Sequence, residues 1–187
     1  MVDINDLRDC IQVLQSTIDG VRPEQLSQPS PCEGWTVRDV INHVTAGGHM
    51  FALSAAGKPL PAMDGPVPDF LGDDPSGAFA QAASAAVAAF DEPGAMDREI
   101  TLPFGAVPAP AALAIAFGDL LVHTWDIAQG TGNPAAIPAG LIDKAYGFYQ
   151  QALTDDLRVP GVFGPTVEVA ADAPAIDKLV AFAGRQP

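Results

Sequence analysis

The chain has 187 residues, 48% of them apolar, which is enough to bury a substantial core within one domain. Nine Lys and Arg stand against 23 Asp and Glu, and the resulting net charge of −14 argues against nucleic acid and anionic membranes as partners. The N-terminus MVDINDLRDC lacks the basic start and apolar run of an export signal, so a cytoplasmic location is expected, with Cys10 and Cys32 as two separate thiols.

A first helix is expected over Asp3 to Asp19, where Ile4, Leu7, Ile11, Leu14 and Ile18 recur at helical steps behind an Asp3 cap and Gly20 ends the run. Cys10 falls on or beside that stripe and reads as core packing. Pro23, Pro29, Pro31 and Gly34 break residues 21–35 into a loop. Thr36 then caps a second helix, with Asp39 completing a capping box and Val37, Val40, Ile41 and Val44 forming the buried face. His43 lies angularly between Val40 and Val44 and so points inward, whereas His49 is about 240° further round and faces elsewhere. Trp35 is placed to act as a hydrophobic staple at the start of this helix.

From Gly57 to Pro75 the density of Gly, Pro and Asp precludes a helix and leaves a connection longer than adjacent antiparallel helices need. The third helix is expected from Pro75 or Ser76 to Phe90, presenting Phe79, Ala83, Ala86, Val87 and Phe90. Asp97 to Phe104 reads as one short extended segment, followed by a turn through Gly105, Pro108 and Pro110. A fourth helix covers about 109–129 and is ended by Gly130 and Gly132. The fifth runs from Ala139 to about Leu157, with Leu141, Ala145, Phe148, Ala152 and either Tyr149 or Leu153 turned inward. In the tail, Thr166–Val169 alternates and is a candidate sheet partner for residues 97–104, and a last helix spans Ala175 to Phe182. These elements predict an all-α protein: a four-helix bundle with a long crossover between helices two and three, short extended segments and a C-terminal helix.

The fourth helix is almost wholly apolar, yet it carries Asp119, His123 and Asp126. At helical spacing His123 lies about 40° and Asp126 about 20° from Asp119, so the three share one stripe. By itself this pattern reads first as a hydrogen-bonded i,i+4 pair, and His43 as a satisfied core histidine. The alternative is a metal site: two imidazoles and a carboxylate suit zinc, nickel, iron or manganese and leave coordination positions open. Asp126 would then be either an acceptor for His123 or a catalytic residue that polarises substrate. No G-x-S-x-G elbow, phosphate-cradling glycine loop or HExxH occurs, and Cys32, with no base in sequence, reads as structural.

The segments PCEGWTVRDVINHV (31–44), LPFGAVP (102–108), GDLLVHTWDIAQGTG (118–132) and AIDKLVAFAGRQP (175–187) resemble the actinobacterial branch of the DinB-like helical bundles. That branch includes the N-terminal domain of mycothiol-dependent maleylpyruvate isomerase, and the resemblance spans essentially the whole chain, within an uncharacterised subfamily. It implies a divalent metal, zinc or nickel, held by His43, Asp119 and His123. The isomerase domain has glutamate where this chain has Asp119, which shortens the reach by about 1.5 Å. The separate C-terminal domain of the isomerase is not expected here. The function so implied is a metal-dependent transferase or isomerase that uses a small thiol such as mycothiol on a small electrophile. A non-catalytic metal-stabilised ligand-binding bundle and a metal-dependent hydrolase are the alternatives. A homodimer through the alanine-rich faces is a further expectation.

Overall fold

A computed structural model describes residues 1–61, 65–158 and 163–187. Helix α1 (Ile4–Asp19) begins where the Asp3 carboxylate accepts from the Asn5 and Asp6 amides and Asp6 reaches back to the Asp3 amide. Its Leu7, Cys10, Leu14 and Ile18 are buried, as the spacing predicts. The loop that follows folds back on the bundle end. The Val37 and Arg38 amides donate to the Gln28 and Leu26 carbonyls, and the buried Gln25 side chain donates to the Thr131 carbonyl at 2.8 Å. Cys32 and Trp35 are thereby held beside the first turns of helix α2 (Val37–Ala55), which has the expected Thr36–Asp39 cap.

The connection after α2 returns along its surface, where Asn42 bonds Pro68 and Phe70 and Arg38 bonds Asp69 and the Gly72 carbonyl. Residues 62–64, inside the long connection expected from the sequence, lie outside the described residues, as do residues 159–162 in the tail. Helix α3 (Pro75–Phe90) is capped by Asp74 and lies close against α2, so close that a Cβ on Gly48 would be 3.0 Å from that of Ala82.

Strands β1 (Glu99–Leu102) and β2 (Gly105–Pro108) pair antiparallel, Glu99 opposite Pro108 and Leu102 opposite Gly105. This corrects the expectation of a single extended segment, because residues 105–108, read as turn, form the second strand. Thr166–Val169 is not its partner and forms no strand; the Val167 amide donates instead to the Ala181 carbonyl. The local hairpin closes a far shorter loop and so costs less entropy than pairing with a segment over sixty residues away, and it buries Ile100 and Leu102.

Helix α4 (Ala109–Thr131) is the axis of the molecule. Among the described residues it is the one helix long and apolar enough to cross a membrane, and 83% of its apolar window is buried inside the fold. Its Leu113, Phe117, Leu121 and Ile127 are fully enclosed, each stabilising by about 1.5–3 kcal/mol on burial. Gly132, at φ 68°, ends the helix, but Gly130 lies within it. α1 and α2 each pack against α3 and α4, so these four helices form a ring in which the successive α1 and α2 take opposite corners. Helix α5 (Ala139–Ala152) and helix α6 (Ala175–Phe182) pack on each other and against α4. α5 stops short of the expected Leu157: Leu153 leaves the helix to be buried, and Asp155 and Asp156 would oppose the dipole at a helix C-terminus. Ala152 is accordingly exposed.

Gly130 marks the tightest approach of α4 to the loop before α2, since an added Cβ would sit 2.8 Å from Val37 Cγ2 and 3.1 Å from the Pro29 carbonyl oxygen. Gly130→Ala is expected to destabilise by about 1–3 kcal/mol despite better helix propensity. Equilibrium urea unfolding measures this, and a variant as stable as wild type would show that the loop is not pinned there.

Candidate metal centre

His43 projects from the second turn of α2 and Asp119 from the middle of α4, and the packing of the two helices brings them together. Asp119 Oδ1 lies 3.4 Å from His43 Nε2 and 3.4 Å from His123 Nε2. The shorter aspartate side chain therefore reaches both imidazoles without an intervening group. These separations are long for charge-assisted hydrogen bonds, which run at about 2.7–2.9 Å. They match the about 3.3–3.4 Å between ligand atoms of a tetrahedral cation with bonds of about 2.0–2.1 Å.

The other face of the His123 ring is occupied. Nδ1 donates to Asp126 Oδ2 at 2.8 Å, and the same oxygen accepts from Arg185 Nη2 at 3.0 Å and from the Cys32 thiol at 3.2 Å. An ionised carboxylate only accepts, so the ring proton belongs on Nδ1 and Nε2 is turned to Asp119 and His43. Asp126 is 0% exposed and does not face solvent. Trp35 covers the pair of imidazoles, stacked 6.3 Å from the His123 ring and tilted 5.2 Å from that of His43. The His43 and Asp119 side chains remain 38% and 34% exposed, so the three donors are reached from outside.

Burial alone would raise the Asp119 carboxyl, but the His123 and His43 imidazoles outweigh it and hold the group well below the usual carboxylate range. Burial also opposes charge on His123, yet Asp119, and after it Asp126, raise the imidazole well above its ordinary value. Asp126 is likewise lowered against its burial by His123 and Arg185. An apolar crevice lined by Val44, Gly48, Phe51, Phe79 and Leu120 leads from the bundle interior to Asp119 and is no larger than a water-sized group. The largest surface groove, about 750 Å³ between α1 and residues 134–144, holds none of these donors.

The sequence-predicted His43, Asp119 and His123 are thus brought to one point, and Asp126 takes the acceptor position behind His123. His49 lies apart, its ring 5.3 Å from that of Phe70. Two residues escaped the sequence reading. Cys32, read as structural for want of a base, lies within 4.0 Å of His123 Nδ1 and forms a second donor group with His123 and Asp126. Arg185 was not singled out, because a lone basic residue 59 positions from its partner leaves no pattern in the sequence. Both donor groups are able in principle to chelate a cation, their atoms lying within 4.8 Å of one another. The guanidinium beside Asp126 already places a positive charge at the second, which leaves the His43–Asp119–His123 group as the better site.

The chain matches the family described as mycothiol maleylpyruvate isomerase N-terminal domain over residues 7–128, and it belongs to that family. Two uncharacterized proteins from two strains of Mycobacterium tuberculosis are each 33% identical to it over 168 residues, covering 88% of this chain and 87% of their own length. No solved structure matches it.

Without metal, the Asp119–His123 pair adds to stability only while both are charged in the fold. Asp119, depressed, contributes above its unfolded value of 3.8 and loses the contribution as pH falls through its folded value. His123, raised, contributes fully below 6.5 and loses it as pH climbs through its higher folded value. Denaturant titrations of the metal-free protein are expected to show the stability gap between wild type and Asp119→Asn widest between pH 3.8 and 6.5 and narrowing above. A gap that stays constant into the alkaline range would mean that the ion pair is not formed.

Proposed function

We propose that this member of the mycothiol maleylpyruvate isomerase N-terminal domain family binds one divalent cation, zinc or nickel, through His43, Asp119 and His123, and acts with a small thiol of the mycothiol kind on a small electrophile. The observation that carries the reading is the meeting of two imidazole nitrogens and one carboxylate oxygen from two helices, with Asp119 Oδ1 3.4 Å from each nitrogen. Two histidines and one carboxylate are a donor set that leaves positions open for an external ligand. The thiol part of the proposal rests on the family description.

When bound, the cation supplies positive charge that lowers the pKa of a thiol beside it. The chain's own residues do the rest. Asp126 acts through His123, fixing its Nδ1 proton and the orientation of its ring. Trp35 keeps water from one face of both imidazoles, while the exposed sides of His43 and Asp119 leave the approach for thiol and electrophile. The thiolate sulfur forms a bond to the electrophilic carbon. In a transfer, the leaving group departs with the bonding pair. In an isomerisation, the same carbon–sulfur bond breaks after rotation about the former double bond and the thiol is regenerated.

Elemental analysis of untagged protein is expected to find about one divalent cation per chain, lost in both His43→Ala and His123→Ala, each of which removes one of only three ligands. Thiol-dependent consumption of a small unsaturated or alkylating electrophile is expected in wild type and absent from both variants. Hydrolysis without thiol would replace this reading with that of a hydrolase. Metal binding with no turnover would leave a ligand-binding bundle.

A further inference from the structure

The segment after α6 closes on the site from outside the residues matched by the family. Gly184 has φ 87°, a conformation that disfavours side chains, and a Cβ there would lie 2.7 Å from the Gly164 backbone. The turn is fixed further by the Arg185 amide, which donates to the Val180 carbonyl at 2.9 Å, and by Arg185 Nη1, which donates to the Ala183 carbonyl at 3.2 Å. The guanidinium is thereby delivered to Asp126, with Nη2 3.0 Å from Oδ2 and Nε 3.4 Å from Oδ1. Its side chain is only 12% exposed and that of Asp126 is 0% exposed.

From this geometry we infer that Arg185 is a positioning residue of the metal centre: it grips both oxygens of Asp126, and Asp126 in turn orients the His123 ring so that Nε2 is presented beside Asp119 and His43. The inference rests on the assignment of those three residues as metal ligands and extends it to a part of the chain that makes no contact with the cation site. The fork of an arginine fixes the plane of a carboxylate, which a point-charged ammonium cannot do. With that plane fixed, Oδ2 has one direction in which to receive the Nδ1 proton, and the ring cannot swing about its χ angles. Partners that orient ligating histidines in this way carry about 10–100-fold in metal affinity. The Cys32 thiol, 3.2 Å from Oδ2 and 3.6 Å from Nη2, packs into the same cluster without adding a charge.

The test compares wild type with Arg185→Lys, Arg185→Gln and His43→Ala. Zinc affinity is read by competition with a chromophoric chelator, and the His123 ring by nitrogen-detected NMR of the metal-free protein. Circular dichroism and thermal melting report folding. Arg185→Lys keeps the positive charge and is the variant expected to fold normally. It is expected to bind zinc about 10-fold more weakly, and Arg185→Gln, if folded, up to about 100-fold more weakly, both with altered His123 ring signals. His43→Ala is expected to lose zinc binding while its His123 Nδ1–H signal stays at the wild-type position. Wild-type zinc affinity and unchanged His123 signals in folded Arg185→Lys would overturn the positioning role. Absence of zinc binding by wild type itself would overturn the proposed metal site, and the NMR signals of the metal-free variants would then decide the Arg185–Asp126–His123 connection by themselves.

Discussion

A neutral imidazole has one proton to donate, and the His123 ring lies between two carboxylates. Asp126 holds the Nδ1 side at 2.8 Å, and Asp119 faces the Nε2 side at 3.4 Å. Only two arrangements satisfy both: a second proton, giving an imidazolium, or a cation in place of that proton. The difference in distance separates the two sides. The short contact is a finished hydrogen bond, whereas the long one, repeated to His43, leaves the spacing that a shared cation would need.

The surrounding architecture follows from the expense of keeping these groups in a helix that is otherwise core. Bringing a carboxylate such as Asp126 out of water costs several kcal/mol even after relaxation. Compensation arrives from two directions: His123 from the same helix and Arg185 from the segment after α6. The fully enclosed Phe117, Leu113, Leu121 and Ile127 of α4 offset the remainder, at about 1.5–3 kcal/mol each. The apolar character of α4, which by length and composition alone could describe a membrane span, is thus what anchors a polar site at the bundle end.

The loop before α2 belongs to the same solution. It is tied to the end of α4 by the Gln25 side chain and by the close approach at Gly130, and it delivers Trp35 over the histidines and Cys32 beside Asp126. A tryptophan just ahead of a helix cap reads as a staple for that helix. Here its ring is turned to the two imidazoles, because α4 rather than α2 alone supplies the apolar wall against which the loop packs.

Local chemistry made much of the fold legible. Caps at Asp3 and Thr36, the apolar spacing of α1 to α4 and the proline-rich connections place the helices within a residue or two, since each signal lies within one or two turns of the chain. The stripe of Asp119, His123 and Asp126 follows from helical periodicity in the same way. What periodicity cannot reach is the contact between elements. That residues 105–108 pair with residues 99–102 was decided by loop entropy and core burial, and the end of α5 at Ala152 by the burial of Leu153. That Cys32 and Arg185, from opposite parts of the chain, meet at Asp126 has no trace in either local pattern. Their encounter depends on loop paths and on the turn at Gly184, and the energy that selects it exists only once the bundle has closed around α4.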